Sequence, residues 1–106
     1  MKQRRNIFKK LEETVPKELL PMVVLLFEEM KEFFYNLALY QQNEIYTRLF
    51  QMLYESKKTY TNLETAYCLY IDIKVVQRFI NDLERFVPEF IKTHRKYFEL
   101  KRFIQQ

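Results

Sequence analysis

The sequence predicts an all-α fold, a compact bundle of about five helices, and three observations carry that expectation. The chain has 106 residues and no glycine, so the positive-φ turns that hairpins and bulged strands lean on have no ready supplier. Apolar residues recur at three-and-four spacing over long stretches. Prolines and a capping box divide those stretches into separate helices. Ten Phe and eight Tyr mean that aromatic rings supply much of the buried area of a single core.

In chain order, Pro16 and Pro21 open a helical stretch, where a fixed φ and a missing N–H are tolerated. From Met22 to Tyr40, Val23, Leu26, Phe27, Met30, Phe33, Phe34, Leu37 and Tyr40 form a broad apolar stripe. Val24, Leu25 and Leu39 widen it beyond one face, so this helix is expected to pack against more than its own core, or to be covered on both sides by the first and last helices. Gln41-Gln42-Asn43 breaks the pattern, and Asn43 can cap a helix over about 44–56 built on Ile45, Tyr46, Leu49, Phe50, Met52 and Leu53. Ser56-Lys57-Lys58-Thr59 reads as a charged connection. Thr61 with Glu64 three residues on completes a capping box. A last helix is expected from near Pro88 to the end, with Phe90, Ile91, Tyr97, Phe98 and Ile104 on its apolar face. The chain is read as one domain: a helical part over 1–56 with an interaction surface, a central pair of helices over 57–87, and a C-terminal helix over 88–106.

The missing glycines exclude phosphate-cradling loops of the P-loop and dinucleotide types, where backbone N–H groups must approach phosphate closely. Cys68 is the single cysteine, without a partner for a disulfide or a zinc site, and is expected to be a buried structural thiol. His94 is the single histidine, flanked by Lys92, Arg95 and Lys96, with no adjacent nucleophile. No Glu-x-x-His pair accompanies Glu12-Glu13 or Glu28-Glu29. No catalytic, cofactor or metal site is therefore expected, and the chain does not read as an enzyme. The most apolar run, Leu19 to Phe27, spans nine residues and contains Pro21, short of the roughly 20 a membrane-spanning helix needs. A reducing cytoplasm is the expected compartment.

Charge is segregated. Residues 1–10 carry five Lys/Arg and no acid, residues 11–56 carry three bases against eight acids, and residues 57–106 carry ten against six. Such a chain can offer a basic surface to nucleic acid and an acidic one to protein.

Residues 61–86, TNLETAYCLYIDIKVVQRFINDLERF, fit a helix-turn-helix. Leu63, Ala66 and Leu69 would line the inner face of the first helix. Ile71 would plug the turn, and Val76, Phe79, Ile80 and Leu83 would anchor the second helix, capped by Asp72. The second helix would then show Ile73, Lys74, Gln77, Arg78 and Asn81 to solvent, residue types suited to base edges. Lys57, Lys58, Tyr60 and Thr61 precede the first helix, where they could touch phosphates. Tyr70 stands at the turn position where φ is commonly positive and Gly or Asn is favoured.

This segment resembles the helix-turn-helix of region four of bacterial sigma factors. Among small proteins it is similar to phage late-gene transcription regulators of the ArpU and RinA type, with Ala66, Ile71 and Val76 at the matching positions. The resemblance covers about a quarter of the chain in detail. It implies a recognition role for Lys74, Gln77 and Arg78, and a sequence-specific activator that binds double-stranded DNA. Half-site reading implies a homodimer, and the acidic middle implies contact with RNA polymerase or another regulatory protein. A second reading of the same residues is a small helical protein-interaction module that modulates another regulator without touching DNA.

Overall fold

The computed structural model describes residues 6–104. Among them are five α-helices: α1 (Ile7–Thr14), α2 (Leu20–Tyr40), α3 (Ile45–Phe50), α4 (Asn62–Leu69) and α5 (Ile73–Thr93). A 3-10 turn, Lys17–Leu19, leads into α2; a π-type turn, Gln51–Glu55, continues α3; and a 3-10 helix, Arg95–Phe103, follows α5. No strand occurs among the described residues, so the all-α expectation holds.

Asn6 caps α1 through hydrogen bonds from the N–H groups of Phe8 and Lys9. The predicted start signals act as expected. Pro21 sits at the beginning of α2. The Asn43 side chain accepts from the Ile45 N–H at 3.0 Å. Thr61 and Glu64 form the reciprocal capping box of α4, at 3.0 Å and 2.9 Å. Asp72 caps α5 by accepting from the Lys74 N–H at 2.8 Å.

Helix ends show what a glycine-free chain does without its usual stop residue. Both α2 and α4 close with a left-handed residue, Gln42 at φ 54° and Tyr70 at φ 55°. In each case the next residue reaches back across the last turn. Asn43 N–H bonds the Ala38 carbonyl at 2.9 Å, and Ile71 N–H bonds the Ala66 carbonyl at 3.1 Å, the hydrogen-bond pattern of the Schellman motif. The left-handed conformation costs a residue with a Cβ roughly 1–2 kcal/mol. Tyr70 is 94% exposed and has little packing to lose. Tyr70→Gly is therefore expected to stabilise the fold by about 0.5–1 kcal/mol, after allowing for the greater freedom of glycine in the unfolded chain. Tyr70→Val should destabilise it, and urea unfolding of the two variants reads both signs.

The C-terminal third departs from expectation. Pro88 does not begin a helix but lies inside α5, which runs unbroken to Thr93. The boundary drawn at 87/88 is therefore not an element boundary. Proline interrupts a helix because it lacks an N–H and crowds the preceding turn, at about 3 kcal/mol in an interior. Here Leu83, Val87 and Ile91, four residues apart and fully buried, hold both halves of α5 on one core face. The helix ends where His94 turns extended, at φ −109° and ψ 118°. From there Tyr97 and Leu100 return to the core, while Phe98, expected on the apolar face, is 67% exposed.

All five helices contribute to one core. Phe8 and Leu11 come from α1, Val23, Leu26, Met30 and Phe34 from α2, Leu49 and Phe50 from α3, Ala66 from α4, and Val76 through Ile91 from α5. Phe50 is fully buried, with ring centroids 5.4–6.5 Å from Phe8, Phe27, Phe34, Tyr35 and Tyr54. The Glu84 carboxylate accepts from the Ile7 N–H at 3.1 Å and from the Tyr54 hydroxyl at 3.5 Å. A negative charge thus sits at the N-terminus of α1, where the helix dipole favours it.

Candidate nucleic-acid interface

The α4–α5 pair is built as two helices joined by the three residues Tyr70, Ile71 and Asp72. Ile71 is half-buried and packs on the core, and Val76, Phe79, Ile80 and Leu83 are buried as expected. The face of α4 is rotated from the predicted one. Ala66 is buried and Leu69 half-buried, but the inward row passes through Thr65, which is fully buried with its hydroxyl donating to the Thr61 carbonyl at 2.9 Å. A β-branched residue with that local bond can occupy a core position without an unsatisfied group. Leu63, expected inside, is 68% exposed. Cys68, expected to be buried, is exposed for the same reason.

On α5, Lys74, Gln77, Arg78 and Asn81 are all exposed, and their spacing of three and four residues gathers them on one face. Ile73 does not join them. It precedes Val76 and Ile80 by three and seven residues, so it shares their inward side and is half-buried against the core. Lys57, Lys58 and Thr61 are exposed ahead of α4. The Lys58 ammonium lies 4.9 Å from the Tyr60 ring centroid, and the Thr61 hydroxyl oxygen is committed to the cap. The basic residues Lys2, Arg4 and Arg5 lie outside the described residues.

Acidic groups near this face are mostly turned to other work. Glu64 and Asp72 accept backbone N–H groups at helix starts, and the Thr61 N–H holds the Glu64 carboxyl below its usual range. Glu84 points to α1. Asp82 stays exposed beside Arg85, at 3.5 Å, and Glu89 lies 3.9 Å from Lys92. Among the described residues no ion pair is formed by Lys74 or Arg78.

Two features were not visible from spacing alone. Leu63, Tyr67 and Tyr70, at 68%, 80% and 94% exposure, leave α4 with an uncovered apolar face. Between α2, α3 and α5 lies an open groove of about 550 Å³ with Arg78 on its rim. The other candidates for chemistry stand apart. His94 is exposed and stacks on Phe90 at 3.8 Å, its Nδ1 within 2.9 Å of the Phe90 carbonyl oxygen. Among the described residues no group of three or more His, Cys, Asp or Glu is placed to hold a metal ion. Nor is any helix among them long and apolar enough to cross a membrane.

Comparison with protein-family models, with curated proteins and with solved structures gives no match to the chain.

Proposed function

We propose that the chain is a DNA-binding transcriptional regulator in which α4 and α5 work as a helix-turn-helix and the first turns of α5 enter the major groove. The observation that carries this reading is the exposed row on α5. Lys74, Gln77 and Asn81 stand on one outward face of a helix whose opposite face is locked in the core by Val76, Phe79, Ile80 and Leu83. Side chains held on a rigid helix keep a fixed geometry toward base edges, with Lys suited to guanine and Gln or Asn to adenine. Lys57 and Lys58 would position the protein on phosphates. The likeness of residues 61–86 to phage late-gene regulators supports a role at promoters of a phage or mobile element. Exposed acids on α1 and α2, among them Glu12, Glu13, Glu28 and Glu32, offer a surface to RNA polymerase or another regulator.

Binding of the purified chain to duplex DNA from its own genomic neighbourhood, followed by fluorescence anisotropy, tests this. With about four phosphate contacts, affinity should fall roughly a hundredfold between 50 and 200 mM salt. Lys57→Ala with Lys58→Ala should weaken binding to all sequences and flatten the salt slope by about two. Lys74→Ala with Gln77→Ala should remove sequence preference. Absence of duplex binding at 50 mM salt ends the DNA reading.

One observation favours a second reading, a protein-interaction module. The exposed Leu63, Tyr67 and Tyr70 face of α4 has the aromatic character of interface centres rather than of phosphate contacts. Under that reading Tyr67→Ala weakens partner binding and leaves any DNA affinity unchanged.

A further inference from the structure

We propose that α5 pairs antiparallel with α5 of a second copy of this chain, over the α2–α5 groove, with Arg78 facing Glu89 of the other copy and Asp82 facing its Arg85. The groove between α2 and α5 is apolar at its base and charged at its rim. Phe33 and Phe86 stack across it with ring centroids 5.0 Å apart, and Leu37 and Val75 extend the apolar floor. This floor is incompletely covered: Phe33 is 43% exposed and Val75 37%. Apolar area left open beside a polar rim is the usual composition of an association surface.

The rim identifies the occupant. Arg78, Asp82, Arg85 and Glu89 follow one another at intervals of four, three and four residues, so they form a single ridge along one face of α5. Their charges alternate: positive, negative, positive, negative. Reversing the direction of that row inverts the sign at every position. A two-fold axis crossing α5 at right angles, midway between Asp82 and Arg85, therefore sets each charge of one copy against an opposite charge of the other. A parallel pair in the same register would set like against like at all four positions. A closed dimer needs such a self-complementary patch, in which residue i meets j and j meets i.

Energetics divide between floor and rim. The ridge charges are well solvated in the single chain: the Arg85 and Asp82 side chains are 77% and 62% exposed and 3.5 Å apart within one turn, and Glu89 is exposed with Lys92 at 3.9 Å. Exposed pairs of this kind contribute little affinity. They set orientation and register, because mispaired charges repel, while burial of Phe33, Leu37, Val75 and Phe86 drives association.

This inference does not rest on DNA binding. Lys74 and Gln77 lie on the far side of Arg78 from the groove, at 100° per residue around α5, and stay open in the pair. Arg78 lies at the groove-side edge of that row and, in the pair, faces Glu89 of the other copy.

The test is the size of the DNA-free protein by sedimentation equilibrium up to about 100 µM, above the dissociation constant of a standard-size interface. The wild-type chain should be a dimer. Arg78→Glu with Arg85→Glu makes the ridge wholly acidic, and Asp82→Arg with Glu89→Arg makes it wholly basic. Each variant alone should dissociate at least about tenfold more readily, and an equal mixture of the two should recover the dimer. Orientation is read by mixing Arg78→Cys with Glu89→Cys, each in a Cys68→Ser background. A disulfide between the two is expected for the antiparallel pair, and its absence in a dimer overturns the orientation. Circular dichroism checks that each variant is folded. If charge reversal unfolds the chain, the neutral pair Arg78→Gln with Glu89→Gln serves in its place. A wild-type monomer throughout, or a dimer indifferent to ridge charge, overturns the proposal. So does a groove that takes only a foreign helix.

Discussion

Phe50→Ala is expected to lower the unfolding free energy by about 3–5 kcal/mol, the range for removing a large buried aromatic side chain and leaving its cavity. A domain of this size has only about 5–15 kcal/mol in total, so the variant should sit close to its unfolding transition at ambient temperature. The expectation comes from position as well as burial. Phe50 is fully inaccessible, and its ring meets Phe8 of α1, Phe27 and Phe34 of α2, and Tyr54 in the turn after α3. Two helices and a turn thus converge on one side chain of α3, and no single neighbour can move to fill the space without leaving the others. The same cluster supports α5. Phe79 lies 5.2 Å from Phe34 and 6.5 Å from Tyr54 between centroids. Loss of Phe50 should therefore disturb the seating of α5 and lower any activity that depends on its outer face. Phe50→Leu, which keeps most of the volume, should cost clearly less. Urea unfolding with matched slopes distinguishes the two, and a loss below about 1 kcal/mol for Phe50→Ala would show that the core is plastic at this point.

Much of this architecture was legible in the sequence because it is written in local chemistry. Caps at Thr61, Glu64 and Asp72 act within a single turn, and the alternation of Val76, Phe79, Ile80 and Leu83 with polar residues marks one face of one helix. What could not be read depends on neighbours far along the chain. Pro88 looked like a helix start because local preference disfavours proline inside a helix; packing of Leu83, Val87 and Ile91 overrides that preference. Leu63 and Thr65 exchanged roles because hydrophobicity ranks leucine inward, whereas the direction of α4 is set by Ala66 entering the core and by the Thr65 hydroxyl finding the Thr61 carbonyl. Cys68 and Ile73 follow from the same rotation and register. At the candidate interface, Lys74, Gln77, Arg78 and Asn81 were identifiable from residue type and spacing. The groove beside Arg78 was not, since it needs Phe33 of α2 to stand next to Phe86 of α5, 53 positions later.

Alkaline titration should separate a second long-range tie from the rest of the fold. Tyr97 is fully buried, and its hydroxyl donates to the Glu29 carboxylate, which also pairs with Lys96. This contact fastens the C-terminal 3-10 helix to α2 across 68 positions. The Lys96 and Tyr97 hydrogen bonds hold the Glu29 carboxyl below its usual 4.5, so its share of stability is present above that pH and is lost as pH falls through the lowered value. Tyr97 runs the other way. Burial first, and then the bond to Glu29, push its phenol well above the ordinary 10.0. Above pH 10 the unfolded chain releases this proton and the folded chain keeps it, so the folded state binds more protons and stability falls as pH rises. The slope is at most about 1.4 kcal/mol per pH unit for one such group. Tyr35 is raised in the same sense, by burial and then by its bond to Glu55, and adds its own share.

Tyr97→Phe keeps the ring in the core but loses the hydroxyl. Near neutral pH it should cost about 1.5 kcal/mol, the low end for a hydrogen bond to a charged group, because Glu29 retains Lys96 and some solvent. Above pH 10 the variant escapes the Tyr97 penalty. The stability curves of the two proteins should converge and cross near about pH 11, as the lost bond is offset by one proton's worth of slope. Chemical denaturation at pH 7, 10 and 11.5 measures this directly. Parallel curves would mean that the Tyr97 hydroxyl is not sequestered, and that the C-terminal segment is held to α2 by its ring and Leu100 alone.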